Sequence, residues 1–75
     1  MTLDRLRTGA HGMVTRLNLD EDTLHRVMAF GLIPGQTFHI TRRAAFGGPI
    51  MLEVGTTHFM LRGKLARQIE VQTRA

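Results

Sequence analysis

The sequence predicts a mainly β fold, a small five-stranded barrel that is closed or nearly closed. Three observations carry this expectation. Between Thr37 and Arg62, apolar and polar residues alternate with period two in successive short runs, tight-turn residues separate those runs, and little of the chain has helical periodicity. As a flat sheet, five strands in 75 residues would leave edges unmanaged, so curling into a barrel is expected.

Leu3 and Leu6 lie one turn apart ahead of Gly9 and Gly12, which predicts a short turn laying two leucines over one end of the core. Gly12 to Asn18 reads as the first strand. Met13, Val14 and Leu17 cannot share one face of a flat strand, so a bend or bulge is expected near Arg16. Asp20-Glu21-Asp22 places acids at the start of a helix dipole, and Leu24, Val27 and Met28 follow at the spacing of one buried stripe. Gly31 suits a left-handed cap, and Pro34-Gly35 suits the turn that ends the helix.

In the run Thr37 to Arg43, Phe38 and Ile40 share one face while Thr37, His39, Thr41 and Arg43 share the other. By this parity Arg42 points inward and snorkels at the barrel rim. Ile50, Leu52 and Val54 then alternate with Met51 and Glu53, and Phe59 and Leu61 with His58, Met60 and Arg62. Gly55-Thr56 fits a two-residue turn, and Ala45 to Gly48 forms a looser hairpin tip. A helical turn at Gly63 to Arg67 precedes a last strand, Ile69 to Gln72.

The length allows one domain and one core, residues 1–75. With no cysteine, apolar packing has neither a disulfide nor a thiolate metal site to help it. The opening residues lack the pattern of a signal peptide, and no stretch approaches the roughly 20 apolar residues of a membrane span, so a cytoplasmic protein is expected. Ten Lys and Arg against six Asp and Glu suit an acidic protein surface, a phosphate-bearing partner or nucleic acid. The cations are scattered, however, and only Arg42-Arg43 form a doublet. Without tryptophan or tyrosine, and with four phenylalanines, platforms for stacking bases are scarce, which argues against nucleic acid. Neither Gly9-Ala10-His11-Gly12 nor Gly47-Gly48-Pro49-Ile50 has the Lys-Ser/Thr ending of a phosphate-binding loop, and the chain has no serine or cysteine nucleophile. No enzyme activity is expected.

Matching apolar faces across the strands sets His39 opposite Glu53 and Glu53 opposite His58. Two imidazoles would then flank one carboxylate, a donor set suited to Fe2+ or Zn2+. The histidines would stand two strand spacings apart, about 10 Å, on a convex face, which favours an exposed electrostatic pair over shared ligation. His11 and His25 have no such partner in this register. Thr41, Met51 and Met60 would lie side by side, either as adaptable contact surface for a partner or, the favoured reading, covered by the helix or the first turn. Phe46, at the hairpin tip, either inserts into a groove on another protein or folds back as a plug over the barrel end.

The run His25-Arg26-Val27-Met28-Ala29-Phe30-Gly31-Leu32-Ile33-Pro34-Gly35, followed by Ile40-Thr41-Arg42-Arg43-Ala44-Ala45-Phe46-Gly47-Gly48-Pro49-Ile50, closely resembles the FeoA family. The match continues from Leu3-Asp4-Arg5-Leu6 and Gly9 to Leu61-Arg62 and Ala66-Arg67-Gln68-Ile69-Glu70-Val71. This resemblance implies a single FeoA-type domain with a Src-homology-3-like (SH3-like) barrel. It implies a non-enzymatic accessory of bacterial ferrous-iron uptake that docks on the cytoplasmic GTP-binding region of the FeoB transporter at the inner membrane, without entering the membrane itself. No cofactor is required by it, and binding of Fe2+ or Zn2+ at His39, Glu53 and His58 stays open as the alternative. The same domain type also ends some iron-dependent repressors, and the length here suits the free-standing form. Expected contact residues are Phe30, Gly31, Leu32, Pro34 and Gly35 at the helix stop, and Arg43, Phe46, Gly47, Gly48 and Pro49 at the hairpin tip. Self-association through an edge strand is left open.

Overall fold

A computed structural model of the chain describes residues 1–74. After a 3-10 turn at Leu3–Arg5, the elements run β1 (His11–Leu17), α1 (Glu21–Ala29), β2 (Thr37–Arg43), β3 (Ile50–Val54), β4 (Thr57–Leu61), α2 (Gly63–Ala66) and β5 (Ile69–Arg74). The strands form one antiparallel sheet in the order β4-β3-β2-β1-β5. Leu3 and Leu6 are buried as their spacing predicts, and every strand adds to the same core, through Val14, Phe38, Ile40, Ile50, Leu52, Val54, Leu61, Ile69 and Val71. β4 and β5 do not pair, so the barrel stays open along that seam. On the far side of β5, the chain's own start pairs with the strand: Val71 N–H donates to the Met1 carbonyl at 2.8 Å, and Thr2 bridges Glu70.

Two irregularities bend the sheet. Against β5 the register of β1 jumps from Val14 to Arg16, which puts the expected bulge at Thr15. Against β3 the register of β2 jumps from Ile40 to Arg42, an interruption that alternation alone did not reveal. The extra residue, Thr41, reverses all parity after it. Arg42 therefore lies opposite Met51 on the exposed face, and the inward snorkel assigned to it does not occur. Arg43 takes the inner position opposite Ile50, where its guanidinium donates to the Leu6 carbonyl.

Asp20 caps α1 by accepting from the Thr23 N–H at 3.2 Å. At the other end Gly31, at φ +94°, makes a double closure: its N–H donates to Met28 O at 2.9 Å and the Leu32 N–H reaches Val27 O at 3.4 Å. The left-handed turn also brings buried Leu32 onto buried Val27, the apolar contact that accompanies this cap. Thr23 and Leu24 are half-buried beside Val27, so the buried face is centred between them and Met28 falls on its flank, 40% exposed. The stripe that was expected to include Met28 is correspondingly narrower.

Hydrogen bonding from Thr23, through its side chain first and its N–H second, holds the Asp20 carboxyl below the usual carboxylate range. A depressed folded-state value stabilises the fold above the unfolded carboxylate pKa and is lost as pH falls through the folded value. Asp20→Ala should accordingly lower the melting temperature near neutral pH, and the difference from the parent should close as pH drops below about 4. Thermal melts across that range check it.

Candidate functional site

The β-ladders place His39, Glu53 and His58 side by side on β2, β3 and β4, in the predicted register. Glu53 receives one histidine on each oxygen: His58 Nε2 lies 3.1 Å from Oε2 and His39 Nδ1 3.7 Å from Oε1. His39 and Glu53 are half-buried and His58 is exposed, and the contacts act as ion pairs when the imidazoles are protonated. The two histidines meet opposite sides of the carboxylate. Among the described residues no three such side chains are grouped to hold one metal ion.

The row is one residue longer than the sequence suggested. His11, which seemed to have no partner, lies opposite His39 in the β1–β2 ladder and stacks on it, with ring centroids 4.2 Å apart and planes within 5°. The Ile40 N–H donates to Ala10 O, which makes the next pair, His11 and His39, the non-hydrogen-bonded one, where side chains stand closest. A shallow cleft of about 500 Å³ opens beside His11, His39 and Glu53. The missed signal was the β1–β2 register, hidden by the broken alternation of β1.

Met51 and Met60 also lie opposite one another, yet neither is covered: they are 39% and 63% exposed. α1 packs over the other face of the sheet, through Val27 and through Phe30, whose ring stacks on Phe59 at 5.0 Å and 14°. The intramolecular cover expected for these methionines is therefore absent, and their row continues to Arg42.

Phe46 does not plug the barrel. Its side chain is fully exposed, at 105% of the reference area. It sits with φ +58° beside Gly47 at +74°, and Gly48 N–H donates to Ala45 O at 3.2 Å, a tight turn with both central residues left-handed. For a bulky aromatic this backbone is an outlier, so the hairpin presents Phe46 to solvent at a cost in strain.

The two expected contact segments are not brought together. Gly31 lies against the Val54 side chain at one end of β3, whereas the tip adjoins Ile50 at the other, about 13 Å along the strand. Within the first segment Leu32 is fully buried and belongs to the core, so it is withdrawn as a contact residue; Phe30, Pro34 and Gly35 are exposed and Gly31 is half-buried as a cap. Within the second, Phe46, Gly47 and Pro49 are exposed, Gly48 is half-buried, and Arg43 is partly engaged with Leu6.

A curled antiparallel sheet of five strands with one short helix after the first strand is a small SH3-like domain, the description also given to the Stenotrophomonas maltophilia FeoA crystallised with zinc. That structure superposes with a TM-score of 0.80 at 25% identity, over 96% of this chain and 89% of the other. A FeoA protein from Chlorobium tepidum superposes with a TM-score of 0.92 at 28% identity, over 100% of this chain and 71% of that one. In sequence, a Campylobacter jejuni protein provisionally named Fe(2+) transport protein A is 30% identical over 71 residues, 95% of this chain and 96% of the relative. The FeoA domain profile matches residues 1–73, and the chain belongs to the FeoA family. That is an accessory family of ferrous iron transport and not a known enzyme family. Among the described residues no helix is long and apolar enough to cross a membrane.

Proposed function

We propose that this chain is a non-enzymatic cytoplasmic accessory of ferrous iron uptake, and that it docks by protein contact on the GTP-binding cytoplasmic region of the FeoB transporter. The observation that carries this reading is Phe46, a fully exposed aromatic held in a left-handed turn at a hairpin tip. An exposed large aromatic is the residue type that anchors interfaces, and strain that serves no internal contact points to an external one. The absence of serine and cysteine supports a role without covalent catalysis. Membership of the FeoA family supports the transport context, as does the S. maltophilia relative, whose description raises a role as a ferrous iron transport activating factor. Titrating the isolated cytoplasmic domain of the transporter into the full chain should give saturable binding that Phe46→Asn weakens at least tenfold. Equal affinity of parent and variant would remove the tip from the interface.

A second reading concerns metal. The 3.1 Å approach of His58 to Glu53, together with zinc in the S. maltophilia relative, favours capture of a divalent ion at the carboxylate, with His58 and His39 as nitrogen donors after side-chain rotation. Calorimetry with Zn2+ and Fe2+ should show heat that His58→Ala removes; a flat isotherm for the parent would end this reading.

A further inference from the structure

The groove between α1 and β4 has no part in either reading above. It holds about 640 Å³ and runs along an edge strand, since β4 pairs with β3 on one side and, among the described residues, with no strand on the other. Val27, Phe30, Phe59, Met60, Leu61 and Leu65 supply its apolar surface, which includes the stacked rings of Phe30 and Phe59. Its volume falls in the range of sites that take a ligand, and its lining mixes these apolar side chains with polar and charged ones.

The hairpin fixes which backbone groups face this groove. Val54 and Thr57 close the two-residue Gly55-Thr56 turn, so they form a hydrogen-bonded pair, and alternation then turns the N–H and C=O of Phe59 and Leu61 toward β3. His58 and Met60 consequently aim theirs at the open edge. No backbone hydrogen bond from elsewhere in the described residues reaches either of them. A free edge beside an apolar groove is the geometry in which an extended segment adds a strand, with main-chain bonds giving affinity and alternate side chains filling the groove.

Charge selects the segment. Arg26, Arg62 and Lys64 rim the groove, against the single carboxylate of Asp20, which is already engaged as the cap of α1. We infer that the β4 edge and the α1–β4 groove form a strand-docking site for an extended acidic segment of a partner protein, with alternate apolar residues directed into the groove. The inference does not depend on the Phe46 tip or on the transporter, because the partner is defined by backbone pairing and charge alone.

The test uses the full chain, labelled for amide exchange, and a blocked seven-residue peptide alternating glutamate with valine. A peptide with lysine in place of glutamate is the comparison. Expected is fast exchange at His58 and Met60 in the free protein, slowed at least tenfold by the acidic peptide and unaltered by the basic one. Met60→Pro, which removes an outward N–H at a position where an edge strand tolerates proline, should abolish the effect, while Met60→Ala, which trims the groove but keeps the N–H, should weaken it without abolishing it. Arg62→Glu combined with Lys64→Glu, both exposed, should weaken acidic-peptide binding at least tenfold, and this pair carries the test if the proline variant does not fold. Three results would overturn the proposal: no slowing at His58 and Met60, acidic-peptide binding that survives both sets of substitutions, or protection of those amides in the free protein that rises with concentration, which would assign the edge to a second copy of the chain.

Discussion

Phe46→Asn is expected to make the protein more stable and, at the same time, a poorer binder. The side chain is fully exposed, so its removal sacrifices no packing. Its backbone lies at φ +58°, where most L-residues are strained by roughly 1–2 kcal/mol and asparagine by less. Relief of about 1 kcal/mol in a domain of this size raises the melting temperature by about 4–8 °C. The tenfold or greater loss of affinity for the transporter's cytoplasmic domain corresponds to at least about 1.4 kcal/mol, modest for an aromatic anchor at an interface. The two readouts move in opposite directions, so neither can be explained by misfolding. A variant that loses stability would show that Phe46 has an internal role. One that gains stability and binds as before would leave the strained turn without a docking function.

Gly63→Ala is expected to be the most disruptive small substitution in the chain. At the first position of a helix alanine is ordinarily preferred over glycine by up to about 1 kcal/mol. Here the sign reverses. A methyl group at Gly63 would overlap the Gly47 carbonyl oxygen, lie 2.9 Å from the carbonyl carbon and 3.3 Å from Gly48 O, and these are backbone atoms of the hairpin that carries Phe46. Overpacking of this kind costs about 1–3 kcal/mol, or roughly 4–24 °C in melting temperature for a domain of this length. The displacement falls on the hairpin, so transporter binding should weaken together with stability. Lys64→Ala, one residue on and exposed, is the control and should melt within about 0.5 kcal/mol of the parent. Urea unfolding of the two variants checks both expectations, and a Gly63→Ala protein as stable as its parent would show that hairpin and helix are not tightly apposed.

Much of the fold was legible because period-two alternation and turn chemistry are local signals. Gly55-Thr56 admits one short hairpin, which sets Glu53 opposite His58, and matching the apolar faces of β2 and β3 sets His39 opposite Glu53. Parity fails wherever one residue is inserted, and nothing in the residue types at Thr41 announces an insertion. The exchange of roles between Arg42 and Arg43 follows from that single residue. The His11–His39 stack was hidden for a related reason: the partner strand of β1 is set by tertiary closure, not by a hairpin turn. Exposure was the other illegible quantity. Met28, Met51 and Met60 have the composition of core residues, and only the position of α1 relative to the sheet decides that they face water. For Phe46 the sequence left plug and protrusion equal, and the left-handed turn that separates them depends on backbone angles that an aromatic does not advertise.

The pairing of Met1 and Thr2 with β5 has a consequence for growth of the assembly. Runaway edge-to-edge polymerisation needs two vacant edges on every subunit, one to give and one to receive. In this barrel the β5 edge is covered by Met1 and Thr2 at Val71 and Glu70. A strand that joins β4, foreign or from a second copy, therefore meets a subunit whose other edge is interrupted at Glu70 and Val71, which works against growth into a fibre.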